Sequence, residues 1–232
     1  MNRLAVFVEG NTEAIFVEKL IDEIAGHNKV QIDTKEIRGG HITSRTIRLI
    51  KASKPTGQQY YVLLYDCGGD AQVKTRIQEE HKNLTKIGYS QIIGIRDVRP
   101  DFTYGDIPRL ERLLPTYIKT SFAPVMFILS IMEIEAWFLA EASHFPRIEP
   151  SITIAAIQAR FGFDPENDNM ELRPWPSKDL KSCYTLGGKT YKKAKAKITI
   201  DALDYALIYL VLRNKINYLD RLISVIEAFL TL

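Results

Sequence analysis

The sequence is poor in cysteine, with Cys67 and Cys183 as its two thiols. Two cysteines far apart in the chain build neither a disulfide framework nor a metal-finger spacing. Such a composition is typical of a reducing compartment, because disulfides form and persist in oxidising ones. We therefore expect a cytoplasmic protein.

Membrane-directed segments are also missing. The first ten residues, MNRLAVFVEG, reach a glutamate after too few apolar residues to form a secretory signal. The most apolar stretch, 122–140, contains Glu133 and Glu135, and two carboxylates near the centre of a bilayer would be costly. These features predict a soluble protein that does not use a membrane.

Motifs for nucleotide-driven or nucleophilic chemistry are absent as well. The chain has no P-loop and no Gly-x-Gly-x-x-Gly pattern, so it should not act by itself as an ATP-driven motor. Its four histidines lack metal-ligand spacing, and nothing indicates a Ser-His-Asp or Cys-His nucleophile.

The composition does contain enough apolar material for a folded core, with 46% hydrophobic and 25% charged residues. The first two-thirds of the chain alternate short apolar runs with helical stripes. This alternation predicts an α/β fold with a mostly parallel sheet flanked by helices. We expect strands at 4–8, 30–37, 60–65, 91–95 and 125–131, and helices at 12–24, 41–52, 71–87 and 107–120.

The pattern changes near residue 146. Five prolines between 146 and 176 punctuate a region without strand-like runs, and apolar helices are expected at 201–211 and 219–230. We therefore divide the chain into an α/β domain, 1–145, and a helical C-terminal subdomain or cap, 146–232. The apolar helices could pair two copies of the chain as a homodimer.

Carboxylates fall at or just after the ends of several expected strands. Glu9, Asp66 and Asp97 follow three of them, and Glu133 with Glu135 follows a fourth. Ligands bind beyond the carboxyl ends of the strands in an open parallel sheet, so these acids should share one edge. Clustered carboxylates repel one another unless a cation such as Mg²⁺ or Mn²⁺ lies between them. The pattern indicates phosphoryl transfer or phosphodiester hydrolysis.

Alternatives remain for several of these acids. Glu133 and Glu135 would share a face if the strand continued through them, and would point to nearly opposite sides if a helix had begun. Asp70, after a Gly-Gly pair, suits either a metal ligand or a turn. Glu13, in the first helical turn, could act only as a helix cap.

Positive charge is concentrated, although the net charge is only +3. The segment 178–197 contains seven lysines and one acid. It indicates either an anionic partner such as nucleic acid or a solvated loop. Arg38, before Gly39-Gly40, could present a guanidinium and backbone N–H groups to a phosphate, or could be an exposed arginine at a turn.

Four segments resemble a known superfamily. VEGNTE (8–13) resembles the opening motif of Toprim domains, the catalytic fold of topoisomerases, bacterial primases and overcoming-lysogenization-defect nucleases. YYVLLYD (60–66) resembles the Toprim strand that carries metal-binding aspartates. MEIEAW (132–137) and WPSKDL (175–180), followed by Tyr191-Lys192, are similar to motifs of a Toprim-like family encoded beside ABC-type or AAA ATPases in defence loci.

The resemblance implies that Glu9 is catalytic, as a metal ligand or a general base, and that Asp66 binds the metal. It favours Glu135 as the third catalytic carboxylate. We include Asp70, Glu133 and Glu135 as further candidate metal ligands. Toprim domains usually carry a second aspartate two residues after the first, where this chain has Gly68.

By the same resemblance Lys178 and Lys192 hold phosphates, and we include the adjacent Lys193. The implied function is a Mg²⁺- or Mn²⁺-dependent nuclease acting on DNA or RNA. It would be the effector of an antiphage defence system controlled by a separate ABC/AAA-type ATPase. The alternative is a non-catalytic binding or regulatory subunit of an ATPase complex, which the glycine at position 68 favours.

Overall fold

The structure is a computed structural model that describes residues 1–26, 30–40, 43–53, 59–69 and 71–231. Its strands are β1 (Asn2–Val8), β2 (Val30–Arg38), β3 (Thr46–Lys51), β4 (Tyr60–Asp66), β5 (Gln91–Asp97) and β6 (Val125–Ser130). Its helices are α1 (Asn11–Ala25), α2 (Gln72–Lys86), α3 (Ile107–Leu113), α4 (Glu135–Ala140), α5 (Phe145–Ile148), α6 (Ile154–Phe161), α7 (Pro176–Thr185), α8 (Ala196–Ala202), α9 (Tyr205–Leu210) and α10 (Asn217–Thr231).

The strands form one sheet in the order β3-β2-β4-β1-β5-β6. β1 pairs in parallel with β4 and with β5, and β2 pairs in parallel with β4. β3 alone of the paired strands runs antiparallel, against β2. The expected α/β fold with a mostly parallel sheet and a helical C-terminal region is therefore confirmed.

The central strands are buried on both faces. Every side chain from Leu4 to Val8 has no exposed surface, and the interior of β4 is similarly enclosed. Continuous apolar runs of this kind are what parallel strands covered by helices require. α1 contributes the apolar stripe that contains Phe16, Val17, Leu20 and Ile21.

The helix expected at 41–52 is wrong. Residues 46–51 form β3, an edge strand whose side chains are all exposed, while 41–42 lie outside the described residues. Apolar residues at 47, 49 and 50 fit a strand alternation as well as a helical stripe. Pairing with β2, with Ile47 opposite Ile37, decided between the two.

Two further expected helices are shorter or divided. The helix expected at 107–120 ends at Leu113. The helix expected at 201–211 is divided into α8 and α9, because Asp204 accepts the Leu207 N–H and caps a new helix. α10 confirms the helix expected at 219–230.

The chain forms two compact units. The first comprises Met1–Arg96, Ile107–Leu129 and Ser224–Leu232, and the second comprises Asp97–Asp106 and Ser130–Ile223. The division at residue 145 stays a prediction. Across the described ranges, no helix combines the length and the apolar character that crossing a membrane would need.

Candidate functional site

Two buried carboxylates lie at the ends of adjacent strands in the first unit. Glu9 directly follows β1 and is 5% exposed, and Asp66 ends β4 and is 8% exposed. The parallel register pairs Val8 with Asp66. The Cys67 N–H donates to the Val8 carbonyl (2.9 Å) and the Gly69 N–H donates to the Glu9 carbonyl (2.8 Å). These bonds hold the two strand ends side by side at the carboxyl edge of the sheet.

The turn after Asp66 requires glycine. Gly68 has a φ of +78° and Gly69 a φ of +140°, both in the region that L side chains rarely adopt. The Gly68 N–H donates to Asp66 Oδ1 (3.0 Å), and a Cβ at position 68 would lie 3.0 Å from Nη1 of Arg38. The glycine that departs from the Toprim pattern therefore leaves room for a guanidinium.

Arg38 binds Asp66 through both guanidinium ends. Its Nη1 donates to Asp66 Oδ1 (2.9 Å) and its Nη2 to Asp66 Oδ2 (3.0 Å). Glu36 adds a longer ion pair at 3.5 Å. The hydrogen bond with Asp66 raises the pKa of Arg38 despite the opposing effect of partial burial. The residue expected to contact phosphate thus neutralises one of the expected metal ligands.

Glu13 caps the helix that follows Glu9. Its Oε2 accepts the backbone N–H of Gly10 at 3.0 Å, which is half of a capping box. The capping role considered for Glu13 from the sequence is confirmed.

Glu9 and Asp66 are the two expected metal ligands that the structure describes in the first unit. Nowhere in the described ranges do three or more His, Cys, Asp or Glu residues come together in a way that could hold a metal ion. Asp70, expected as a further ligand, lies outside the described residues. Two carboxylates nevertheless match the donor type and number that Mg²⁺ takes from proteins, because it keeps several waters or phosphate oxygens.

The second unit places Glu133 and Glu135 near the same lysine ammonium. Lys193 Nζ lies 3.7 Å from Glu133 Oε1 and 3.6 Å from Glu135 Oε1. The two geometries considered from the sequence both fail here, because β6 ends at Ser130 and α4 begins only at Glu135. Met132, between the end of β6 and the start of α4, has a φ of +64°. This tight turn lets both carboxylates contact the same cation.

Glu133 also serves the start of α7. Ser177, the second residue of that helix, donates its N–H to Glu133 Oε2 (2.9 Å) and its hydroxyl to the same carboxylate (2.8 Å). A carboxylate at a helix N-terminus satisfies an otherwise unpaired N–H and complements the helix dipole. A structural role therefore accounts for Glu133.

Glu135 is completely buried. Its Oε1 accepts the Tyr191 hydroxyl at 2.8 Å, and its Oε2 has no hydrogen-bond partner among the described residues. Burial raises the pKa of Glu135, while Lys193 and the Tyr191 hydroxyl act in the opposite direction.

Lys178 packs on an aromatic ring together with a cation that the sequence did not suggest. Lys178 Nζ lies 3.9 Å from the centroid of the Trp175 ring, and Arg99 Cζ lies 3.3 Å from the same centroid. Trp175 is 42% exposed. An indole that binds two cations presents positive charge to solvent. Only the WPSKDL motif hinted at this cluster, and it does not contain Arg99.

The structure therefore brings the predicted residues together in two groups. In the first unit Arg38 binds Asp66, and Glu9 lies at the adjacent strand end. In the second unit Glu133 and Glu135 both pair with Lys193. Comparison of the chain with protein-family models, with curated proteins and with solved structures found no match.

Proposed function

We propose that the protein is a Mg²⁺-dependent nuclease that hydrolyses phosphodiester bonds in DNA or RNA. The observation that carries this proposal is the pair of buried carboxylates, Glu9 and Asp66, at the ends of two adjacent parallel strands. Ligands of open parallel sheets bind at that edge. The resemblance of 8–13 and 60–66 to Toprim motifs supports the same assignment.

Glu9 and Asp66 would hold the metal. Mg²⁺, or Mn²⁺ in its place, would neutralise charge on the phosphate and lower the pKa of a bound water. Glu9 would in addition accept a proton from the attacking water. Binding at Asp66 requires the Arg38 guanidinium to leave at least one carboxylate oxygen. The Arg38 side chain is 44% exposed, so it is accessible to a substrate phosphate.

A second candidate function is a non-catalytic binding or regulatory role. The observation that favours it is that expected site carboxylates of both units pair with protein cations. Asp66 pairs with Arg38, and Glu133 and Glu135 pair with Lys193. Carboxylates with such partners depend less on a metal to offset their mutual repulsion. This candidate predicts nucleic-acid binding without cleavage.

The test is cleavage of plasmid DNA and of a structured RNA by the purified full chain in Mg²⁺, in Mn²⁺ and in EDTA. We expect cleavage with either metal and none in EDTA. Glu9→Gln and Asp66→Asn should each lower the rate by about a hundredfold or more. Glu135→Gln in parallel tests its predicted catalytic role.

The matched control is Glu23→Gln, which removes an exposed carboxylate paired with Lys19 on α1. It should cut at the wild-type rate. Cleavage that survives Glu9→Gln at the wild-type rate would refute the assignment. Nucleic-acid binding that is equal in Mg²⁺ and EDTA, with no cleavage of either substrate, would establish the non-catalytic candidate instead.

We also propose that a separate ABC- or AAA-type ATPase controls the cleavage. The chain has no nucleotide-binding motif, and its Toprim-like resemblance is to families encoded beside such ATPases. Exposed apolar side chains of the second unit, including Leu172 (59% exposed) and Leu210 (66% exposed), offer contact area. Co-purification of a stable ATPase complex that cleaves faster than the isolated chain, at a rate that responds to ATP, would support this. A metal-dependent cleavage rate of the isolated chain that no co-purified ATPase changes would contradict it.

A further inference from the structure

A cavity of about 660 Å³ lies within the second unit. It is formed by the end of α5, the end of α7, the segment that joins α7 to α8, and α8 itself. Its volume is within the range of about 300–1,000 Å³ that small-molecule sites occupy. Its cationic lining residues are Arg147, Lys189, Lys192 and Lys195.

Two of these cations already have acidic partners. Arg147 pairs with Asp204 at 3.4 Å, and Lys189 pairs with Glu149 at 3.4 Å. The one acid in the lining, Asp201, has both carboxylate oxygens 2.7 Å from Lys197 Nζ. Its negative charge is therefore neutralised from outside the cavity lining.

Lys192 and Lys195 differ from the other cations of the lining. Within the described parts of the chain, no ion pair involves either of them. The Lys195 N–H donates to the Lys192 carbonyl at 2.8 Å, which closes a short 3-10 turn, and the next residue, Ala196, is buried. The two exposed lysines are thus one turn apart in the cavity lining, and their ammonium groups have capacity for an anion.

Apart from these charged residues, the lining includes apolar side chains and two tyrosines whose hydroxyls are already hydrogen-bonded within the protein. The Tyr184 hydroxyl hydrogen-bonds Thr199 Oγ1 at 2.8 Å, and the Tyr191 hydroxyl donates to Glu135 at 2.8 Å. Both rings are buried and face the cavity as walls. Ile198, 61% exposed on α8, adds an apolar surface. A ligand here would combine a negatively charged group with a flat or apolar body.

We propose that this cavity binds a nucleoside phosphate, with the phosphate between Lys192 and Lys195 and the nucleoside against Ile198 and the tyrosine rings. Two sources share this chemistry: a free nucleotide and a terminal nucleotide of a nucleic acid. The proposal goes beyond the proposed nuclease activity, because binding at this cavity needs neither Glu9, nor Asp66, nor a metal ion. Its failure would leave the nuclease assignment standing, and the converse also holds.

The experiment measures binding in EDTA by isothermal titration calorimetry, with the full chain and three probes. The probes are ADP, inorganic phosphate and a short 5′-phosphorylated oligothymidylate. Lys192→Gln/Lys195→Gln removes the unpaired cations, and Ile198→Glu adds a carboxylate to the apolar wall. The control variant is Lys82→Gln/Lys86→Gln, which makes the same charge change on α2 of the first unit.

We expect saturable binding of ADP or of the oligonucleotide, and whichever binds identifies the source. Lys192→Gln/Lys195→Gln should weaken that binding by about tenfold or more, because hydrogen bonds to charged groups are lost. Ile198→Glu should weaken it as well, and the α2 control should bind like the wild type.

Three outcomes would overturn the proposal. The first is no saturable binding of ADP or the oligonucleotide. The second is equal weakening by the cavity variant and the α2 control, which would indicate non-specific electrostatics. The third is inorganic phosphate binding as tightly as ADP and the oligonucleotide, which would remove the nucleoside from the ligand. Circular dichroism of each variant verifies that it is folded, and Ile198→Glu, at an exposed position, provides a second readout.

Discussion

At the scale of single residues, the contact between Arg38 and Asp66 determines what the strand-end site can do. The guanidinium covers both carboxylate oxygens, and the glycine at 68 gives it space. A metal ion and Arg38 would therefore compete for Asp66. In a nuclease this competition would keep the metal weakly bound until a substrate phosphate attracts the guanidinium.

Replacing Arg38 by glutamine tests this competition. We expect Mn²⁺ to bind Arg38→Gln more tightly than the wild type, because the competing cation is gone. The unfolding free energy in metal-free buffer should fall by about 1–2 kcal/mol, since the pair is only partly buried. Calorimetric Mn²⁺ titration and urea denaturation measure the two effects.

A suitable control for Arg38→Gln is Arg48→Gln. Arg48 is 73% exposed and pairs with Glu36, not with Asp66. It should change neither Mn²⁺ affinity nor stability by more than about 0.5 kcal/mol. If Mn²⁺ binds Arg38→Gln no more tightly than the wild type, Arg38 does not compete with a metal ion for Asp66.

His144 makes the stability of the second unit depend on pH. The ring is fully buried, and its Nδ1 contacts the Glu141 backbone carbonyl at 2.6 Å. Burial lowers its pKa to about 4 from an ordinary value of 6.5. Between these pH values His144 binds a proton in the unfolded chain but not in the folded one. The folded state is therefore stabilised fully above pH 6.5, and this contribution is lost as the pH falls to about 4.

The predicted loss through His144 is about 3 kcal/mol over that range. Burial raises the pKa of the neighbouring Glu141, which acts in the opposite direction, so the histidine must be isolated by substitution. As the pH falls from about 7 to 4.5, the unfolding free energy of His144→Gln should decrease less than that of the wild type. Urea denaturation across that range measures it, and parallel curves for the two proteins would contradict the prediction.

At the scale of elements, β3 is an exposed edge strand with apolar side chains. Ile47, Leu49 and Ile50 are 44%, 52% and 51% exposed, respectively. Unpaired edge strands with apolar side chains are templates for association with other chains. We therefore predict that this strand promotes self-association, independently of the C-terminal helices considered from the sequence.

Leu49→Glu should lower self-association at high protein concentration without unfolding the protein. The new carboxylate would lie opposite Lys35 in the β2–β3 register, so stability should change by less than about 1 kcal/mol. Light scattering and thermal denaturation measure the two quantities. For comparison, Ile37→Ala on β2 removes a fully buried side chain and should cost about 2–4 kcal/mol. Equal self-association of Leu49→Glu and the wild type would show that β3 does not mediate self-association.

At the scale of the whole molecule, the first unit is assembled from distant parts of the chain. Ser224–Leu232 belongs to it, together with the sheet formed by the first half of the sequence. Phe229 on α10 is 1% exposed, and its ring lies 5.5 Å from the Tyr60 ring in an edge-to-face arrangement. The last helix therefore completes a core that begins at β4.

Phe229→Ala should destabilise the protein by about 3–5 kcal/mol, because a large buried side chain leaves a cavity. Thr231→Ala, two residues further along α10 and exposed, should cost less than about 0.5 kcal/mol. Thermal denaturation followed by circular dichroism compares the two. Similar melting temperatures for both variants would show that α10 does not support the sheet.

The sequence by itself determined the class of fold and the strand-end carboxylates. A parallel strand covered on both faces needs a continuous apolar run, so the strands at 4–8 and 60–65 were recognisable from the local sequence pattern alone. Glu9 and Asp66 followed because an acid directly after such a run falls at the ligand edge of the sheet. The capping role of Glu13 followed from its position in the first helical turn.

Only the tertiary structure decided which cation each carboxylate meets. Arg38 reaches Asp66 because β2 and β4 are neighbours, and Lys193 reaches Glu133 and Glu135 across more than fifty residues of chain. The same holds for β3, whose apolar spacing fits a helix or a strand until β2 supplies hydrogen-bond partners. Ion pairs and sheet pairing depend on distances in space, and local sequence patterns carry no information about residues that approach from elsewhere in the chain.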